Sequence, residues 1–157
     1  MFSKLEHVLA PIAEKLSKNK VLSAIRDGFI ISTPLIIVAS MFLLVANFPI
    51  NGYPEFMAGI FGDGWDSHLS SVVSATFDVI SLLTVIGIGY SYAREKNVDR
   101  ISGAVISFVA FLIITQQSYP LYVNEAGKAF KGFSFGNLGS QGIFLAMITA
   151  LVSVQIF

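Results

Sequence analysis

Asp78 is the one charged side chain in the run 69–93. Ser71, Ser74 and Ser81 share its face at helical spacing, so the four form a polar stripe along an apolar helix. A carboxylate in such a run either accepts hydrogen bonds from a ligand and carries a proton, or ties one helix to another through a Ser, Thr or Gln partner. Gln116, Gln117 and Asn137 offer amides that both donate and accept, a chemistry suited to hydroxyl-rich ligands and equally to bracing loops. Trp65, Tyr119 and Tyr122 present flat faces on which a ring could stack, and the same residue types anchor proteins at a bilayer surface. His7 and His68 lie far apart and predict no shared metal site, and Asp63 and Asp66 lack the ligand spacing of a calcium loop.

Other chemistries are excluded on residue type. The 157 residues contain no cysteine, hence no thiolate ligand, disulfide or cysteine nucleophile. HExxH and Walker A patterns are missing, and Gly87-Ile88-Gly89 lacks the strand context of a dinucleotide loop. No catalytic constellation stands out, no cofactor is called for, and basic residues are too sparse for nucleic acid.

The elements that carry these residues read as membrane helices. The chain is 54% hydrophobic and 13% charged, against about 25% charged in soluble domains. No charged residue or histidine occurs in 28–54, 101–124 or 132–157. A bilayer core about 30 Å thick needs ~20 apolar residues in a helix. The spacing predicts an all-α integral membrane protein: an interfacial amphipathic helix over 3–20, then a bundle of about four transmembrane helices over 28–48, 70–93, 101–117 and 140–157. The last span runs to Phe157 with no polar flank, which predicts the front part of a longer polypeptide, a tail-less four-span protein being the alternative. No cleavable signal peptide is expected. Pro34 predicts a kink in the first span, Arg26-Asp27 reads as a local pair at its start, and the short 94–100 turn makes the second and third spans antiparallel neighbours. Gly103, Ser107 and Ala110 form a small-residue stripe for close helix contact. Gly-rich backbone and aromatics over 118–139 predict a folded loop.

Charge sets the expected sidedness. Lys4, Lys15, Lys18, Lys20 and Arg26 precede the first span, and Arg94, Lys96 and Arg100 mark the second turn, whereas 49–68 has no Lys or Arg. The positive-inside rule places the N-terminus in the cytoplasm of a multi-pass protein. Lys128 and Lys131 in the third connection are a mild exception.

Five stretches, in order, resemble one family. They are Phe-Ser-Lys-Leu-Glu at 2–6, Ala-Ile-Arg-Asp-Gly-Phe-Ile-Ile-Ser-Thr-Pro-Leu-Ile-Ile at 24–37, Ile-Gly-Tyr-Ser-Tyr-Ala at 88–93, Ile-Ser-Phe-Val-Ala-Phe-Leu-Ile at 106–113 and Leu-Gly-Ser-Gln-Gly-Ile-Phe at 138–144. The chain thereby resembles the membrane component, enzyme IIC, of the lactose/cellobiose/N,N′-diacetylchitobiose class of the bacterial sugar phosphotransferase system. The resemblance implies a homodimeric permease of the bacterial cell membrane. It would pass a β-linked disaccharide, cellobiose or N,N′-diacetylchitobiose, inward while a IIB protein or domain, phosphorylated on cysteine, phosphorylates it. The His and Glu with which the family meets its sugar belong to a C-terminal half that has no match here, so this segment reads as the scaffold and dimerisation region. Asp78, Gln116 and Asn137 are its candidates for sugar contact. The alternative is a non-transporting four-span membrane oligomerisation or assembly protein.

Overall fold

The computed structural model describes residues 18–115, 119–123 and 129–157. Nearly all of the expected 3–20 helix, with His7, Gln116 and Gln117, lies outside them.

Helix α1 (Lys20–Ala46) starts where the Asn19 side chain accepts from the backbone N–H of Val21 at 2.9 Å and of Leu22 at 3.4 Å, which satisfies donors that no helical carbonyl can reach. Pro34 does not interrupt it. The neighbouring Thr33 hydroxyl donates to the Phe29 carbonyl at 3.2 Å, partly meeting the backbone acceptors around the proline. At the far end the Asn47 amide turns back to the Leu43 carbonyl, and the Tyr53 hydroxyl donates to the Val45 carbonyl at 2.8 Å. Helix α2 (Tyr53–Phe61) and helix α3 (Trp65–Phe77) follow, entered through Gly52 and Gly64 at φ 83° and 79°, backbone geometry that favours glycine.

The polar stripe does not lie on one continuous helix. Helix α3 ends at Phe77 and helix α4 begins at Ile80, running to Lys96. Asp78 still donates its N–H to the Ser74 carbonyl at 3.0 Å, but Val79, at φ −121° and ψ 17°, leaves helical geometry. Helix α4 closes on Asn97 in the left-handed region, and Asp99 caps helix α5 (Arg100–Ile114) by accepting from the Ser102 N–H at 2.6 Å. These few residues reverse the chain and make α4 and α5 neighbours, as the short turn predicts. The folded loop expected over 118–139 contains an antiparallel pair, β1 (Tyr119–Val123) with β2 (Ala129–Gly132), in register Tyr119↔Gly132 and Val123↔Ala129. This hairpin is a local addition to an otherwise helical fold. A single-turn helix α6 (Phe135–Leu138), a 3₁₀ turn (Ser140–Gly142) and helix α7 (Ile143–Ile156) complete the chain.

Helix α4 is the axis of the bundle and packs against α1, α5 and α7. Glycines set its two closest crossings. A Cβ on Gly28 of α1 would stand 2.6 Å from the Ile88 backbone nitrogen, and one on Gly89 would stand 2.9 Å from the Gly103 carbonyl of α5. Val85, Ile88, Phe111, Ala146 and Ala150 form the main buried cluster, and Ala24, Tyr92, Ala93 and Val154 a second one toward the basic end. The rest of α1 is apolar and uncovered: Ile30, Leu35, Ile37, Met41 and Leu44 are each about half exposed or more. A soluble domain does not leave such a face to water. Two helical stretches, Lys20–Ala46 and Trp65–Lys96, are long and apolar enough to cross a bilayer.

Candidate functional site

Where α3 gives way to α4, the segment before α7 folds against the break. Ser81, in the first turn of α4, donates its hydroxyl to the Gly139 carbonyl. Gly142 sits so close to Asn137 that any side chain there would strike the Asn137 carbonyl, and its Cβ would lie 2.9 Å from the Ser81 hydroxyl. Together these contacts hold residues 136–142 beside Asp78. The result is a cavity of about 310 Å³ lined by Phe77, Asp78, Ile80, Gly136, Ser140 and Gln141.

The sequence-derived candidates divide accordingly. Asp78 lines the cavity; Asn137 lies in α6 between two of its glycines; Gln116 falls outside the described residues. Among the described residues, no group hydrogen-bonds or ion-pairs with the Asp78 carboxylate, and the Asn137 and Gln141 amides are likewise uncommitted. A ligand or water there would meet one pure acceptor, amides that do both, and the Ser140 hydroxyl. Ser140 and Gln141 escaped the sequence reading, although an amide in the first turn of an apolar helix was a usable signal. Of the stripe, only Ser81 reaches across to another element; Ser71 donates back to the Ser67 carbonyl at 2.8 Å.

The aromatics do not join this cavity. Trp65 meets Tyr53 edge-on at 5.8 Å, and Tyr53 meets Phe48 at 5.5 Å, forming an aromatic cluster beyond the far end of α1. Trp65 and His68 line a separate, almost wholly apolar cavity of about 350 Å³ with Val45 and Met57. Tyr119 and Tyr122 belong to β1. Among the described residues, no three His, Asp or Glu side chains gather as metal ligands.

At the opposite end the charges pair. Asp27, one residue before the first uncharged run, bridges to Arg26 at 2.7 Å and also to Arg94, which contacts Glu95 at 3.4 Å. Hydrogen bonds from Arg26 and then Arg94 hold the Asp27 carboxyl below the usual carboxylate range, and the Asp27 bond raises Arg94. Arg26-Asp27 is therefore more than a local pair, because through Arg94 it fastens α1 to α4. The Tyr92 hydroxyl donates to Gln155 at 2.9 Å and ties in α7. Lys96 and Arg100 lie over the Tyr92 and Tyr90 rings at 5.4 and 6.0 Å.

Comparison with known proteins follows the same outline. The profile of the phosphotransferase system EIIC family matches residues 26–157. The chain is 41% identical over 156 residues to the lichenan permease IIC component of Bacillus subtilis (strain 168), covering 98% of this chain and 34% of that protein. It is 40% identical to the cellobiose-specific EIIC component of Geobacillus stearothermophilus, covering 98% of this chain and 35% of the relative. The crystal structure of the transporter ChbC, the IIC component of an N,N′-diacetylchitobiose-specific phosphotransferase system, superposes with a TM-score of 0.84 at 36% identity, over 97% of this chain and 36% of that one. The chain spans about a third of the length of these relatives.

Proposed function

The chain belongs to the phosphotransferase system EIIC family, and from that premise we propose that it forms the N-terminal part of a sugar permease of the bacterial cell membrane. The permease moves a β-linked disaccharide, cellobiose or N,N′-diacetylchitobiose, inward for phosphorylation by a IIB partner. The carrying observation is that likeness in sequence and in fold to such permease components runs over nearly the whole chain.

Within that permease this segment is the scaffold. Its basic end, with Lys20, Arg26, Arg94 and Arg100, faces the cytoplasm, and the Phe48–Tyr53–Trp65 cluster sits at the outer interface. Helices α1 and α3–α4 cross the bilayer, α5 and α7 complete the bundle, and the uncovered apolar face of α1 meets lipid, a second copy in a homodimer, or the rest of the permease. Asp78 and Asn137 are the groups of this segment offered to sugar hydroxyls. The test is deletion of the native gene followed by growth and uptake measurements on each disaccharide. Loss of uptake of a β-linked disaccharide, restored by the full-length gene, supports the assignment; unchanged uptake of all of them refutes it.

A further inference from the structure

The space between α1 and α3 is apolar and open. Val38, Met41, Phe42 and Val45 recur on α1 at the spacing of one helix face. With Leu69 of α3 they line a cavity of about 240 Å³. Val45 and Leu69 also belong to the cavity of about 350 Å³ completed by Met57, Phe61, Trp65 and His68. These shared residues join the two into one groove that follows α1 for about 10 Å. Val38, Met41 and Val45 are exposed, so the groove lies open along its length. Beside it α2 buries none of its residues and leaves Phe56, Ile60 and Phe61 bare. At the mouth Trp65 meets Tyr53, the residue types that settle at the level of lipid headgroups. Trp65 and His68 each carry an N–H donor there, and neither forms a hydrogen bond among the described residues. Glu55, Asp63 and Asp66, all exposed, stand on the elements that frame this mouth, and the 49–68 connection has no Lys or Arg.

We propose that this groove holds a phosphatidylethanolamine molecule of the outer leaflet, with an acyl chain between α1 and α3, the phosphate at Trp65 and His68, and the ammonium against the acidic rim. The placement in the outer leaflet rests on the permease reading above. Charge complementarity selects the occupant. The phosphate accepts from the two N–H donors, and the ammonium donates to carboxylates of Glu55, Asp63 or Asp66. Phosphatidylglycerol offers the same chains and phosphate, but it carries a net negative charge and no amine, so the rim disfavours it. A second copy of the chain fits less well. A two-fold interface over this groove brings the same patch of both copies together, and with it two acidic rims that have no Lys or Arg to offset them.

The experiment uses the full-length permease with Trp65 kept and any other tryptophan replaced by phenylalanine. It is reconstituted in vesicles of equal parts phosphatidylethanolamine and phosphatidylglycerol, in which one lipid or the other carries brominated acyl chains that quench tryptophan fluorescence on contact. Quenching of Trp65 should show phosphatidylethanolamine favoured about threefold, the size of an exposed ion pair. Combining Glu55→Gln, Asp63→Asn and Asp66→Asn, all at exposed positions where folding is undisturbed, should bring the two lipids to parity. Equal quenching in the parent protein reduces the groove to ordinary lipid contact and overturns the proposal, as does stronger quenching by brominated phosphatidylglycerol. Absence of quenching by either lipid shows the groove covered by protein, a second copy or the rest of the permease, and overturns it too. A preference that survives in the triple variant removes the acidic rim as its cause. Quenching is read without transport, so uptake tests the permease assignment separately.

Discussion

Replacing Gly28 by alanine adds one methyl group where α1 crosses α4. On the observed backbone that methyl carbon would stand 2.6 Å from the Ile88 nitrogen and 2.7 Å from the Ile88 Cα, against 3.4–4 Å for ordinary contact. The obstacle is backbone, so no rotamer change relieves it, and the helices must part by about 1 Å, weakening dispersion contacts along the whole seam. Overpacking of this kind costs about 1–3 kcal/mol. Alanine also gains about 1 kcal/mol over glycine in helix propensity. The net expectation is a loss of up to about 2 kcal/mol, or a fall in melting temperature of up to about 8 °C. Gly59→Ala is the matched control. It lies in α2 with nothing within 4 Å of the added atom, so only the propensity gain of up to about 1 kcal/mol applies. Detergent-solubilised variants of the full permease, heated and scored for monodisperse protein, should move in opposite directions. A Gly28→Ala protein melting at or above the parent refutes close approach as the reason for that glycine.

Three further expectations follow from individual contacts. Because its ion pairs lower the Asp27 carboxyl, that group binds its proton more weakly in the folded state than in the unfolded one, so its contribution is fully present above the usual carboxylate range and is lost as pH falls through its lowered value. With Arg94 39% exposed the contribution is only about 1 kcal/mol; parent and Asp27→Asn melting curves should differ equally at pH 7 and pH 5 and converge below pH 3.8. Ser81→Ala removes the anchor of residues 136–142 and leaves the buried Gly139 carbonyl without that donor, at a cost of about 1–2 kcal/mol. Amide hydrogen exchange over 135–142 should then quicken about 5- to 30-fold, and unchanged exchange would show that the contact holds nothing. Asn97 ends α4 at φ 59°, so Asn97→Ala should destabilise by about 1 kcal/mol and Asn97→Gly by little or nothing in thermal melts.

What was legible in the sequence was whatever depends on composition and spacing. Charge-free runs gave the apolar helices, the shortness of the 94–100 turn gave the α4–α5 reversal, and the small-residue stripe from Gly103 through Ser107 gave the close α4–α5 crossing. The break at Asp78–Val79 was not legible, because Ser74, Asp78 and Ser81 keep helical spacing across it. What decides the break is tertiary: the Ser81 hydroxyl is engaged by Gly139, 58 residues further along the chain, and no local pattern encodes that partner. Ser140 and Gln141 were missed for a related reason. A reading that starts a membrane helix at residue 140 treats its first turn as an interfacial boundary. The structure instead seats that turn beside Ser81, next to the helix break.

The break also bears on how a carboxylate is accommodated in an apolar run. Enclosed by apolar helix, an unpaired charge at Asp78 would cost several kcal/mol. The seating of residues 136–142 against Ser81 instead brings backbone and amides to the carboxylate. The break frees α3 to lean on α1 without carrying α4 with it, since an interruption of the hydrogen-bond ladder is where a helix can change direction. The tight half is held by glycine crossings, the Asp27–Arg94 pair and the Tyr92–Gln155 bond, whereas beyond the break α3 is seated mainly on α1.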